Sequence, residues 1–143
     1  MKITKTFGLF SKKYPRSQYL LKRLRIAKQR DIVIIDFAPS KGYEIRKRRP
    51  ALVMSKDKYN TSTNLVIVCP ITSLNKERPF LVPIYSEKLH TPDNAISKVN
   101  TLQVYSLDYT EHAQRGIKYV DTLDEETFYE IAQKFLQNFS FVI

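Results

Sequence analysis

Apolar and polar positions change their rhythm twice along the chain. From Arg16 to Gln29, the residues Leu20, Leu21, Leu24 and Ala27 recur at helical spacing, with basic residues around the rest of the circumference. That pattern predicts a short basic amphipathic helix over residues 16–29, docked first of all by its leucine stripe, with a membrane surface or RNA as its other resting places. From Asp31 the rhythm is that of short strands between turn residues. Residues 32–37 are β-branched and apolar, and Ala38-Pro39-Ser40-Lys41-Gly42 breaks them. Further strands are expected over residues 51–54, 65–69, 80–85 and 102–107, with one more over 117–120. The polar stretch from Asn60 to Asn64 reads as a hairpin connection. After Val120 the period returns to helical: Phe128, Ile131, Ala132, Phe135, Leu136 and Phe139 form one apolar face. Thr122 and Glu125 stand at capping-box spacing before it, and Asp124, Glu125 and Glu126 place negative charge where a helix dipole favours it. Five or six strands with a closing helix suggest a small, strongly curved sheet or partial barrel.

Charge sharpens this outline. The chain of 143 residues has 24 Lys+Arg against 14 Asp+Glu, a net charge of +10. Residues 1–30 hold ten of the cations and no acid, while residues 31–143 hold fourteen of each sign. The net charge therefore lies in an N-terminal arm, residues 1–29, together with Arg30 that follows it. In the neutral remainder one cluster stands out: Lys41, Arg46, Lys47, Arg48 and Arg49, broken only by Glu44. Basic blocks suit polyanion binding, because each phosphate contact releases condensed counterions. The plainer alternative is a solvated tail and a solvated loop.

Composition removes several chemistries. Three glycines, Gly8, Gly42 and Gly116, cannot form a Gly-rich phosphate loop. His90 and His112 share no ligand spacing, and no carboxylate cluster suggests Mg²⁺, so neither metal nor other cofactor is expected. Both histidines read as surface or structural residues. Cys69, the one cysteine, sits in the most apolar strand, where it behaves as a small hydrophobe. The longest apolar run is too short for a membrane span, and no signal-peptide stretch follows the basic start, so a soluble, cytoplasmic protein is expected.

The motifs that remain run from Asp36 through Arg48-Arg49-Pro50-Ala51-Leu52-Val53. They continue through Ser55, Tyr59-Asn60, Val68-Cys69-Pro70-Ile71-Thr72-Ser73 and Pro79-Phe80 to Gln103-Val104-Tyr105-Ser106-Leu107-Asp108. In this order and spacing the segment resembles the MazF/PemK/Kid toxins of bacterial toxin–antitoxin systems, over roughly residues 30–138. The resemblance implies a toxin domain over residues 30–143, built as a small SH3-like (CcdB/PemK-type) β-barrel with a C-terminal helix, usually a homodimer. It implies a sequence-specific, metal-independent endoribonuclease that cuts single-stranded RNA through the RNA's own 2′-OH, leaving a 2′,3′-cyclic phosphate and a 5′-OH. An acidic antitoxin protein is the implied partner.

By the same resemblance Arg49 and Thr72 match the family's catalytic pair, and Glu44 an acidic residue tied to activity. A guanidinium is a permanently charged clamp for a phosphorane, so charge stabilisation suits Arg49. Thr72 can orient the phosphate or the attacking hydroxyl, and Glu44 is the natural proton acceptor. Lys41, Arg46, Lys47, Arg48, Lys76 and Arg78 are the expected phosphate contacts, with Ser40, Ser73 and Gln103 reaching base or sugar. Two departures stand out. Arg30-Asp31 replaces the usual Gly-Asp, and Tyr105 occupies a position that is commonly basic. The rival reading is a non-catalytic binding module like the CcdB toxins, which share the barrel and bind DNA gyrase through the C-terminal helix.

Overall fold

The structure, a computed structural model, describes residues 28–38 and 48–141. Residues 1–27, and with them most of the predicted arm helix, lie outside the described residues, as do Ser40, Lys41, Glu44, Arg46 and Lys47; the last two positions of that helix, Lys28 and Gln29, are not helical. The elements run β1 (Asp31–Asp36), β2 (Arg48–Val53), α1 (Asp57–Thr63), β3 (Leu65–Thr72), β4 (Leu81–Ile84), β5 (Ser97–Asn100), β6 (Tyr105–Asp108), β7 (Lys118–Thr122) and α2 (Glu125–Leu136). The fold is mainly β, as expected, with seven strands where five or six were read.

All neighbouring strands are antiparallel, in the order β4-β5-β3-β2-β1-β7, and β6 also pairs with β3. The sheet curls into a half-barrel about β3. On one edge β3 pairs with β2; on the other it pairs with β6 through residues 65–68 and with β5 at Ile71 and Thr72. Pro70, which has no N–H to give a ladder, stands at this change of partner. The outer strands β4 and β7 are linked through side chains just beyond β4, where the Ser86 hydroxyl donates to Asp121 Oδ2 at 2.6 Å. That bond holds the Asp121 carboxyl below the ordinary carboxylate range.

Strand alternation sends side chains into two cores, one on each face. Ile32, Leu52, Cys69, Ile71, Val82 and Val99 pack with Leu123, Phe128 and Ile131, so α2 covers that face. Val33, Ile35, Ala51, Val53, Val66 and Val68 pack with Leu107 and Tyr109 on the other. Full burial of a side chain such as Ile131 stabilises the fold by about 1.5–3 kcal/mol. Burial also pushes the Cys69 thiol up to about 12, which leaves it an unreactive packing residue.

Three expectations change. Asn60 to Asn64 is no hairpin connection; most of it is α1, ended by Asn64 in the left-handed conformation. Tertiary bonds favour the helix here: Asn60 is buried, its amide donates to Ser55 O at 3.2 Å and accepts from the Ser55 hydroxyl, and Tyr109 Oη donates to Asn60 O at 2.7 Å. The strand read over 102–107 begins only at Tyr105, because Thr101 and Leu102 form a turn. The cap of α2 is Asp124, which accepts the Thr127 N–H at 2.9 Å; Thr122 stays in β7 with its hydroxyl 3.4 Å from Asp31 Oδ1.

Candidate functional site

β2 and β3 carry the two central candidates. Their register sets Ala51 opposite Pro70, so the antiparallel run places Arg49, two residues before Ala51, at the level of Thr72, two residues after Pro70. Both line a cleft of about 690 Å³, together with Ser73, Lys76, Arg78 and Gln103. Six of the described candidate residues therefore meet at one place. Arg49, Lys76 and Arg78 are exposed, and no Asp or Glu lies among the described lining residues. Three cations in a concave surface without a carboxylate make a ready anion site.

Local chemistry explains each placement. Thr72 ends β3, and its Oγ1 accepts the Leu74 N–H at 3.3 Å, which starts the turn away from the sheet. The irregular segment 73–80 then carries Ser73, Lys76 and Arg78 past the cleft. Gln103 follows the turn after β5, where its N–H donates to Asn100 O at 3.4 Å.

Arg48 does not join them. Adjacent residues on a strand face opposite ways, and Arg48 donates to Arg115 O at 3.3 Å and to Gly116 O at 2.8 Å. Gly116 has φ +58°, a backbone conformation that favours glycine, and a Cβ there would stand 2.7 Å from Arg48 Nη1 and push the end of that side chain aside. Arg48 ties β2 to the loop before β7 rather than facing the cleft. Tyr105, at the family's commonly basic position, packs edge-on against Phe37 with ring centroids 4.8 Å apart. Packing replaces charge at that point.

The cleft also contains residues that were not among the sequence candidates: His90, Ser97 and Asn100, with Phe80 of the Pro79-Phe80 motif beside them. His90, read above as a surface or structural residue, is exposed and adds an imidazole to the lining. It belongs to the β4–β5 connection, far in sequence from Arg49 and Thr72, so only the curl of the sheet reveals it. Among the described residues no three His, Cys, Asp or Glu side chains group as a metal site would require. None of their helices is long and apolar enough to cross a membrane.

The fold and cleft define a class, and comparison with known proteins gives the family. The model of PemK-like, MazF-like toxins of type II toxin–antitoxin systems matches residues 28–139, and the chain belongs to that family. Over 58 residues it is 36% identical to the endoribonuclease toxin MazF of Escherichia coli K12, covering 41% of this chain and 52% of that protein. The chain thus spans about half the length of the curated relatives it matches. The crystal structure of MazF from Deinococcus radiodurans superposes with a TM-score of 0.62 at 28% identity, over 78% of this chain and 94% of that one. A MazE–MazF structure from the same organism gives 0.63 at 28%, with the same coverage.

Proposed function

We propose that this chain is a toxin endoribonuclease that binds single-stranded RNA in the Arg49–Thr72 cleft and cuts it by attack of the RNA's own 2′-OH. One observation carries the reading: Arg49, Lys76 and Arg78 converge with the hydroxyls of Thr72 and Ser73 in a cleft whose described lining has no carboxylate. Such a surface attracts a polyanion, and its hydroxyl groups suit a phosphodiester rather than an apolar ligand. The curated relatives named endoribonuclease toxins point the same way.

The chemistry follows from the charges. As the 2′-oxygen attacks, negative charge grows on the phosphoryl oxygens, and Arg49 stabilises it while the 5′-oxygen leaves and takes a proton from water. Thr72 Oγ, on the end of a buried strand, orients the phosphate. Glu44, in the segment joining β1 and β2, takes the 2′-OH proton. The products are a 2′,3′-cyclic phosphate and a 5′-OH. Because the nucleophile belongs to the substrate, no metal-bound water is required, and DNA binds without being cut. Lys76 and Arg78 hold flanking phosphates, with Ser73 and Gln103 reaching base or sugar. The partner that fits this cleft is an acidic antitoxin segment, and a homodimer is the assembly proposed for the toxin.

The test is a mixed-sequence RNA incubated with the protein in excess EDTA, beside an oligonucleotide with one 2′-deoxy sugar 5′ of the mapped cut. Cleavage that survives EDTA and stops at the 2′-deoxy sugar is the expected result. A metal requirement, or cutting at the deoxy position, overturns the mechanism. RNA left intact while purified DNA gyrase is bound favours the CcdB-like alternative.

A further inference from the structure

Segment 73–80 presents Ser73, Lys76 and Arg78 to the cleft, yet it has no regular secondary structure of its own. Two lysine ammonium groups hold its backbone from behind. Lys98 Nζ donates to Lys76 O at 2.6 Å, and Lys134 Nζ, from α2, donates to Pro79 O at 2.7 Å. Lys134 reaches its carbonyl along the surface. Lys98 does so from inside the sheet: it is 8% exposed, the one buried lysine or arginine among the described residues. On β5 it stands between Thr72 of β3 and Pro83 of β4.

Confining a lysine side chain in this way costs hydration and rotamer freedom, and an apolar side chain would serve the packing of β5 at lower cost. What an apolar residue cannot supply is a donor for the Lys76 carbonyl. Beyond segment 73–80 lies a second hollow of about 790 Å³, lined by Lys98 and sharing Ser73, Leu74 and Arg78 with the cleft. The segment is therefore a wall between two open spaces. Between its anchored ends, where the Leu74 N–H donates to Thr72 Oγ1 at 3.3 Å and the Leu81 N–H to Arg78 O at 3.0 Å, the two lysines are its tethers to the rest of the fold.

We propose that Lys98 is a positioning residue of the RNA site: its ammonium, through the Lys76 carbonyl, holds the wall that presents Ser73, Lys76 and Arg78 to the substrate. The proposal rests on the nuclease reading above and adds to it a residue that does not touch RNA. Since wall residues grip flanking RNA in ground and transition states alike, losing their placement raises KM and leaves kcat in place.

The experiment compares wild type with K98M, which keeps the stem and removes the donor, and K98R, which restores charge and donors. Full-length proteins are assayed on an RNA oligonucleotide, on its 2′-deoxy analogue for binding alone, and by amide exchange across residues 73–80. In K98M, KM and the Kd of the analogue should rise about tenfold with kcat within about twofold, and amide exchange in the wall should quicken. K98R should recover most of both losses. Should K98M not fold, K98Q carries the same comparison, because its neutral amide ends one bond short of the lysine nitrogen and does not reproduce the charged bond to the Lys76 carbonyl. Unchanged KM and unchanged wall exchange overturn the proposal while leaving the nuclease reading intact. So does a K98R as impaired as K98M, or a loss confined to kcat. Wild-type protein that neither binds nor cuts RNA overturns the nuclease reading itself, and this role with it.

Discussion

The corner where residues 28–31 join the domain and the cleft at the ends of β2 and β3 treat charge in opposite ways. At the corner Arg30, Asp31 and Asp57 are each engaged by the protein. Asp31, buried, accepts the Lys28 N–H at 3.0 Å and lies near the Thr122 hydroxyl; Asp57 accepts the Gln29 N–H at 2.7 Å. Arg30 donates to Leu123 O at 3.2 Å and lies 3.8 Å from Glu125. In the cleft, the Arg49 and Lys76 side chains make no hydrogen bond or ion pair with described residues, and Arg78 reaches only the carbonyl of its neighbour Glu77. Charges at the corner are engaged within the fold, whether or not they stabilise it; convergent cations left to solvent are open to an anion.

Substitution at the centre of the cleft should have the largest effect and tests the contrast most directly. Arg49→Ala should lower the RNA cleavage rate by at least ~10²-fold, the value of a charge-stabilising donor being roughly 3–4 kcal/mol. Its melting temperature should hardly move, because an exposed strand-end arginine carries little core. A folded variant with full activity would remove Arg49 from the chemistry, and one that unfolds would make it part of the structural class instead.

The corner should reveal itself through pH. Burial pushes the Asp31 carboxyl up to about 6, with the nearby Asp57 charge adding to the rise against the lowering bonds from Lys28 and Thr122. The folded protein then binds more protons than the unfolded chain between about pH 4 and 6, so this group costs stability as pH rises through that window. Removing its charge in Asp31→Asn should leave the pH 4 comparison as baseline and gain about 2–3 kcal/mol relative to it by pH 8. Urea unfolding of both proteins at the two pH values measures this. A pH-independent difference would mean that Asp31 ionises as freely as in the unfolded chain.

Asp124→Ala, beside the same corner, should cost about 1 kcal/mol through the lost cap to Thr127 and leave RNA binding untouched. Chemical denaturation and a binding assay separate the two. The smallest change expected is electrostatic. Arg78→Ala should flatten the slope of log K against log salt by about 0.7, the share of one phosphate contact on a single strand. An unaltered slope would place Arg78 with the answered charges of the corner.

Much of this protein could be read in advance from local pattern. The short apolar runs in residues 32–37, 51–54 and 65–69 announced β1, β2 and β3, and the apolar stripe from Phe128 onward announced α2. Those patterns are legible because a helix that buries one face repeats at its own period, and a strand buried on both faces reads as a short unbroken apolar run. Even the Arg49–Thr72 pairing was within reach of the family motifs, because one antiparallel register carries both.

What only tertiary structure decided has the opposite character. β5, Ser-Lys-Val-Asn, has one apolar residue and no visible period; it is a strand because β3 and β4 flank it. Asn60 looked like a turn residue and is buried in a helix, because Ser55 and Tyr109 complete its hydrogen bonds. Arg48 and Arg49 are neighbours of identical chemistry, and strand direction alone sends one to the Gly116 carbonyl and the other to the cleft. His90 in the lining and Lys98 behind segment 73–80 owe their places to contacts between segments distant in sequence. Local pattern records the period of an element, and it holds no record of what the fold brings to meet it.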